Sequence, residues 1–131
     1  MIKPNELFIG AVVNYEIGGL IEPYIIDAAD LTWIENDQES FNLKHSPIPI
    51  TPEILTDWCG WNQDVDKVYK PIHAKGVNKI IIAFSKFQRD VELRQYGEFI
   101  TALPHVKHLH QLQSLYQLLT GEEMPINLPK E

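Results

Sequence analysis

The sequence predicts one α+β domain, and three observations indicate this class. Runs of β-branched and aromatic residues, bounded by glycine and proline, recur through the first three quarters of the chain. Leucines at spacings of three and four near residue 110 indicate an amphipathic helix. The length of 131 residues and the hydrophobic share of 44% suit one packed core without disulfides or metal. The alternative is a subdivision into a small curled sheet, 1–46, and a helix–strands–helix part, 47–131.

The N-terminal part predicts a curled antiparallel sheet that could close into a small barrel. Residues 6–16 are rich in β-branched and aromatic side chains and predict the first strand. Gly18 and Gly19 supply the positive φ of a tight turn. Residues 20–27 predict the second strand, and Pro23 places it at an edge or a bulge because proline has no amide hydrogen.

The next stretch predicts a third strand and a loop. Residues 31–34, Leu-Thr-Trp-Ile, have strand composition. Residues 35–46 are polar and acidic, so we expect a loop with one short strand near residues 41–43.

A short middle helix is predicted at residues 52–59. Thr51 can accept hydrogen bonds from free amides, and Pro52 suits the first helical position. Gly60 suits the end of the helix in the left-handed conformation. The preceding residues 47–50 should be extended, because each proline disfavours the helical region for the residue before it.

Three further strands are predicted at residues 65–72, 77–87 and 91–96, joined by turns at 71–76 and 88–90. The last element is a helix from Pro104 or His105 to Thr120, ended by Gly121 and packed on the sheet. Its apolar face comprises Val106, Leu109, Leu112, Leu115, Tyr116 and Leu119.

The net charge of −7 is unevenly distributed. Residues 1–66 carry twelve acids and two bases, a net of −10, whereas residues 67–131 carry nine bases and six acids, a net of +3. Two packed halves of opposite charge explain this pattern without a ligand. A basic face for nucleic-acid phosphates is the alternative, although overall acidity opposes it. The bases that would carry it are Lys67, Lys70, Lys79, Lys86, Arg89 and Arg94.

Histidines and the single cysteine are the residues that could support chemistry. His105 and His108 would share one helical turn and could bind a metal, with His45 or His73 completing the site. The spacing does not match a zinc motif, so we predict no metal, cofactor or catalytic residue. Cys59, at the end of a short helix, is predicted to be a small buried side chain.

Three segments, in order, are similar to those of a family of small bacterial proteins. Residues 5–10, NELFIG, resemble an ELRIGN opening. Residues 47–55, PIPITPEIL, with residues 59–61, CGW, resemble PIPLTEEWLLKCGF. Residues 110–116, HQLQSLY, with residues 119–123, LTGEE, resemble HQLQNLYFALTGEE.

These motifs resemble an uncharacterised family of Bacteroides-type bacteria, often found among prophage or mobile-element genes, and the resemblance spans nearly the whole chain. It implies a bacterial intracellular setting and an accessory role, and it supplies no activity, cofactor or catalytic residue. The chain departs from the family at Phe8, where the family pattern has Arg, and at Ala11, where it has Asn.

The favoured function is a non-catalytic module that binds another protein. Trp58 and Trp61 are the predicted contact residues, because exposed tryptophans are frequent in interfaces. Self-association is a second form of this prediction, nucleic-acid binding the first alternative, and a metal or enzymatic site at His105 and His108 the next. The lack of an apolar run long enough for a membrane span, of a signal-peptide pattern and of paired cysteines predicts a cytoplasmic protein with no membrane contact.

Overall fold

The computed structural model describes residues 1–74, 77–95 and 98–129, with residues 73, 74 and 77–79 described by their backbone alone. The helices are α1 (Ala28–Asn36), α2 (Gln38–Lys44), α3 (Pro52–Asp57) and α4 (Leu109–Thr120). The strands are β1 (Val12–Ile17), β2 (Leu20–Ile25), β3 (His45–Ser46), β4 (Asn62–Gln63), β5 (Lys67–Ala74), β6 (Val77–Ser85), β7 (Val91–Gln95) and β8 (Glu98–Leu103). Helices and antiparallel sheets together confirm the α+β class.

The chain divides into two compact units. The first contains Met1–Pro49 and His108–Gln111, and the second contains Ile50–Lys107 and the chain from Leu112 onward. The first boundary lies three residues beyond the subdivision considered at 46/47.

The first unit is built on a three-stranded sheet in the order β2-β1-β3. The strands are antiparallel, and the sheet is open at β2 and β3, so it is not a closed barrel. Its core consists of side chains from both strands and helices, together with the N-terminal segment. These are Ile2, Leu7, Ala11, Val13, Ile26, Ile34 and Phe41.

The predicted strand at residues 31–34 is wrong, because these residues lie in α1. Asp27 accepts a hydrogen bond from the Asp30 amide (3.0 Å), and Asp30 accepts one from the Asp27 amide (2.9 Å). This reciprocal cap satisfies two amides at the start of the helix, and it outweighs the strand propensity of Trp33 and Ile34.

The predicted loop at residues 35–46 is also wrong in part. Residues Gln38–Lys44 form α2, and the predicted short strand near 41–43 lies within this helix. Asp37 begins it by accepting from the Ser40 amide at 3.1 Å, and Phe41 is its buried side chain. One buried residue in seven gives too little apolar periodicity for the pattern to reveal the helix.

The second unit contains an antiparallel sheet in the order β4-β5-β6-β7-β8. The predicted second group of three strands corresponds to β5, β6 and β7. The sequence pattern missed β4, which has two residues, and β8, which extends the sheet beyond β7. The prediction of a turn from Pro71 is wrong, since β5 continues to Ala74 and residues 75 and 76 lie outside the described residues.

The middle helix is confirmed as α3, with Thr51 accepting from the Ile54 amide at 3.2 Å. Gly60 adopts φ 71°, as its position after the helix predicts.

The C-terminal helix is confirmed but begins later than predicted, at Leu109 instead of Pro104 or His105. The Leu109 amide donates to the Ile48 carbonyl at 2.8 Å, and His108 forms a β-bridge with Pro49. Because of these backbone contacts, the residues before Leu109 are not part of the helix. Tyr116 of α4 is buried, and the Lys70 ammonium of β5 lies 5.9 Å from its ring centroid.

No described helix combines the length and hydrophobicity of a membrane span.

Candidate functional site

The β1–β2 hairpin of the first unit is the strongest candidate for a functional surface. Ile17 and Leu20 face each other across the two-residue loop. Gly18 and Gly19 have φ of 57° and 86°, the conformation of a two-glycine hairpin turn. Both positive φ values were predicted from the glycine pair, and they fix the shape of the hairpin tip.

Four aliphatic side chains of this hairpin are more than half exposed, and we call them the hairpin patch. Ile17 (58%), Leu20 (66%), Ile21 (66%) and Ile25 (54%) form it. By strand alternation Ile17 and Leu20 lie on one face of the hairpin and Ile21 and Ile25 on the other. The exposed aliphatic side chains therefore occupy both faces of one hairpin and are not scattered singly over the surface.

Pro23 limits how the hairpin can bind a partner. The pair that flanks a two-residue loop is hydrogen-bonded, so Ile17–Leu20 and Tyr15–Glu22 are hydrogen-bonded pairs. Pro23, opposite Asn14, therefore occupies the alternate position, whose backbone nitrogen points to the outer edge of β2. Because proline has no amide hydrogen, this edge is poorly suited to pairing with another strand. A partner would then contact the side chains of the hairpin instead of its backbone.

A pocket of about 170 Å³ lies beside the hairpin patch. Ile21 belongs to both, and Leu43 of α2, which is exposed, forms another part of the wall. The complete lining is Glu16, Ile21, Asn42, Leu43, Lys44, His45 and Ser46. The pocket thus combines aliphatic walls with one carboxylate, one ammonium group and one hydroxyl.

His45 lies at the inner side of this region, 3% exposed and surrounded by aromatic rings. Its ring stacks on Phe41 with 3.8 Å between centroids, and lies 4.8 Å from Tyr15 and 5.2 Å from Trp33. Nδ1 is 2.9 Å from the Phe41 carbonyl, which can only accept, so Nδ1 carries the hydrogen. Nε2 is buried without a hydrogen-bond partner in the described part of the chain.

Tyr24 closes the aromatic cluster on the β2 side. Its ring centroid lies 5.1 Å from that of Tyr15, and its hydroxyl donates to the buried carboxylate of Asp30 at 2.8 Å. Burial and this hydrogen bond raise the pKa of Tyr24 to about 12. Tyr24 is therefore a neutral donor at physiological pH, and it ties β2 to the start of α1.

A second polar cluster in the first unit contains Glu6, His110 and Gln111. Glu6 accepts hydrogen bonds from the Lys3 amide and from the Gln111 side chain, both at 3.0 Å. Nε2 of His110 lies 3.6 Å from Glu6 Oε2, too long for a hydrogen bond. Among the described residues neither ring nitrogen of His110 has a hydrogen-bond partner, and the side chain is 1% exposed.

These contacts shift both pKa values. Burial lowers the pKa of His110, and the nearby Glu6 carboxylate opposes that shift. Burial alone would raise the pKa of Glu6, but the hydrogen bonds and the charge of His110 leave it lowered. In the folded chain the pKa values of both groups therefore lie below their ordinary values.

The predicted histidine site is rearranged. His105 and His108 both precede α4, so they do not share a helical turn. The ring of His108 stacks on that of His110 at 5.9 Å. No group of three potential ligands able to hold a metal occurs where side chains are described, and that part excludes the side chain of His73.

The two tryptophans predicted as contact residues lie in the second unit. Trp61 is 5% exposed, so it is a core residue, and Trp58 is half-buried. The carbonyl of Trp58 accepts from the Asn127 amide at 2.7 Å, which fixes the C-terminal segment against it. The large hydrophobic side chains that are exposed in the described part of the chain are instead mainly aliphatic, and four of the twelve lie on the β1–β2 hairpin.

The six predicted basic residues are not gathered on one surface. Strand register puts Lys67 and Arg94 on one face of the sheet with Tyr69 and Phe99, and Lys70 on the opposite face. Lys86 donates to the Asp64 carbonyl at 2.7 Å, and Arg89 lies in the β6–β7 turn. Lys79 lies in β6, and its side chain is outside the described residues.

Carboxylates already neutralise the two bases that share a face. Lys67 lies 3.6 Å from Asp64 and 3.5 Å from Asp66. Arg94 Nε lies 2.7 Å from Glu92. This pairing reduces the charge available to phosphates.

Cys59 is buried, as the sequence predicts. Burial raises the pKa of its thiol to about 11, and the charge of Lys70 opposes the shift slightly. A thiol of this kind is a poor nucleophile at neutral pH.

The sequence reasoning missed the hairpin patch and His45. The sequence contained a signal for the hairpin patch. It places four aliphatic residues, Ile17, Leu20, Ile21 and Ile25, around a two-residue turn that is too short to bury them all. His45 had none, because its aromatic neighbours come from β1, β2, α1 and α2. At the positions that depart from the family pattern, Ala11 is fully buried and Phe8 packs against the core of the first unit.

Comparisons of the chain with protein-family models, curated proteins and solved structures found no match. Membership of the Bacteroides-type family stays a prediction from the three sequence motifs.

Proposed function

We propose that this protein is a non-catalytic module that binds another protein through the hairpin patch. The observation that carries the proposal is the exposure of four aliphatic side chains within residues 17–25 of the β1–β2 hairpin. Exposed apolar surface of this kind is typical of interaction sites. The two-glycine turn fixes the hairpin before binding, which lowers the entropy cost of association.

Charge indicates the chemistry of the partner. Residues 1–49, the main part of the first unit, carry eight acids and two bases, a net of −6. A partner that presents apolar and basic side chains is complementary to this surface. A second copy of the chain would bring like charges together, so we propose a different protein as the partner. The motif resemblance suggests a bacterial accessory role for the pair.

The experiment compares capture by the wild-type chain and by the double variant Ile17→Asp/Ile25→Asp. The matched control is Val65→Asp, at an exposed aliphatic residue in the second unit. We expect a partner retained by wild type and control and lost with the double variant. The purified partner should then bind the double variant at least about tenfold more weakly, the effect of removing a central apolar contact. Equal binding by both proteins would overturn the proposal.

Nucleic-acid binding is the second candidate, favoured by the placement of Lys67, Arg94, Tyr69 and Phe99 on one sheet face. It ranks lower because carboxylates neutralise both bases. A fluorescence titration with single- and double-stranded nucleic acid at two salt concentrations tests it. Tight binding that weakens steeply with salt would support it, and no binding at low salt would remove it.

A further inference from the structure

We infer that the pocket beside the hairpin patch receives an arginine side chain of the partner, an inference that rests on the proposed function. The size of the pocket is the first argument. Sites for whole small molecules usually span about 300–1,000 Å³. A volume of about 170 Å³ instead suits one long side chain that enters from a protein bound to the hairpin.

The lining supplies what an arginine needs. Ile21 and Leu43 offer aliphatic walls to the methylene stem. Glu16 offers a carboxylate to the guanidinium group, and Ser46 adds a hydroxyl. The Asn42 amide is already committed, since it accepts from the Ile2 amide at 2.8 Å and donates to the Ile2 carbonyl at 3.0 Å.

The pocket has one acidic and one basic side chain, Glu16 and Lys44. Across the described chain, neither Glu16 nor Lys44 forms an ion pair. Lys44 repels any cation that enters, and it repels the delocalised charge of a guanidinium group less than the compact charge of a lysine ammonium group. Arginine spreads its charge over a plane and can meet Glu16 through two parallel hydrogen bonds. The acidic first unit adds to this preference.

The test uses the full ¹⁵N-labelled chain and N-acetyl-arginine methylamide as the probe, followed by two-dimensional NMR. We expect saturable shifts at the amides of Glu16, Ile21 and Ser46, with a Kd in about the millimolar range. The citrulline counterpart, which has the same shape without the charge, should cause no such shifts. Glu16→Gln should weaken the probe at least about fivefold, because it removes the charged acceptor. The control Glu35→Gln, at an exposed residue of α1, should leave the affinity unchanged.

Three results would overturn the inference: no saturable shift at these amides, equal shifts with citrulline, or tighter binding of the lysine counterpart. The probe experiment needs no partner, so its outcome is separate from that of the capture experiment. If the probe binds but Ile17→Asp/Ile25→Asp keeps the partner, the pocket recognises a guanidinium group and the hairpin proposal fails. If the double variant loses the partner but the probe does not bind, only the arginine inference fails.

Discussion

His110 places a titratable ring in the interior of the first unit, beside Glu6. Because burial lowers the pKa of His110 in the folded chain, the unfolded chain takes up a proton first as the pH falls below about 6.5. The free energy of unfolding should therefore decrease from about pH 7.5 to about pH 5.5. Urea unfolding followed by fluorescence measures this change.

The variant His110→Leu should flatten this pH dependence, whereas His105→Gln, at an exposed site, should not. Glu6 affects the free energy of unfolding at lower pH. Because its pKa is lowered in the folded chain, stability is lost only as the pH falls below 4.5. An unchanged slope in His110→Leu would assign the pH dependence to another group.

Nε2 of the His45 ring is buried and has no hydrogen-bond partner among the described residues, so replacing His45 by an aromatic hydrocarbon should cost little stability. His45→Phe loses the hydrogen bond to the Phe41 carbonyl but also removes the unsatisfied Nε2. We expect a change in unfolding free energy within about 1 kcal/mol, against about 3–5 kcal/mol lost in Phe41→Ala. Urea denaturation measures both, and a loss above about 3 kcal/mol in His45→Phe would show that Nε2 has a partner.

Cys59 should be protected from thiol reagents in the folded chain. With its pKa raised from 9.0 to about 11, the thiolate fraction at a fixed mildly alkaline pH falls about 100-fold, and burial limits access further. Reaction with an aromatic disulfide reagent should be at least about 100-fold faster in concentrated urea than in buffer. Equal rates would place the thiol at the surface.

At the level of elements, the glycine pair of the hairpin makes a position-specific prediction. Gly19→Ala places a side chain at φ 86° and should cost about 1–2 kcal/mol, although among the described residues only the chain neighbours have atoms within 4 Å of the new carbon. Gly18→Asn should be nearly neutral, since Asn-Gly forms the same turn. Thermal unfolding measures both. Equal destabilisation by the two variants would mean that the turn is of another type.

Helix boundaries show where local signals were sufficient and where they were not. The predicted helix cap at Thr51 is confirmed. The equivalent signal at Asp27, with Asp30 three residues later, also predicts a helix start and could have identified α1. The late start of α4 had no local signal. It depends on backbone contacts of Leu109 and His108 with Ile48 and Pro49, sixty residues away in the sequence.

At the scale of the whole molecule, the charge asymmetry predicts that the proposed partner interaction is sensitive to salt. If an acidic first unit recruits a basic partner, association should slow as ionic strength rises, while dissociation changes less. Stopped-flow or surface-based kinetics at about 50 mM and about 500 mM salt would measure this, and at least a threefold slower association is expected. A rate independent of salt would indicate purely apolar recognition.

The sequence by itself determined the α+β fold class of the protein and the features that depend on residues close together in the chain. The hairpin turn at Gly18 and Gly19, the cap at Thr51, the apolar run of β6 and the apolar face of α4 all follow from local geometry and periodicity. Pro23 restricted β2 to an edge or a bulge, and the sheet order β2-β1-β3 places it at the edge.

Only the tertiary structure decided which side chains are exposed and which meet. It buried Trp61, exposed Ile21 and Ile25, enclosed His45 in four aromatic rings and set His110 against Glu6. The physical reason is that burial and side-chain pairing depend on contacts between segments that are distant in the sequence. Such contacts produce no hydrophobic periodicity in the sequence of either segment.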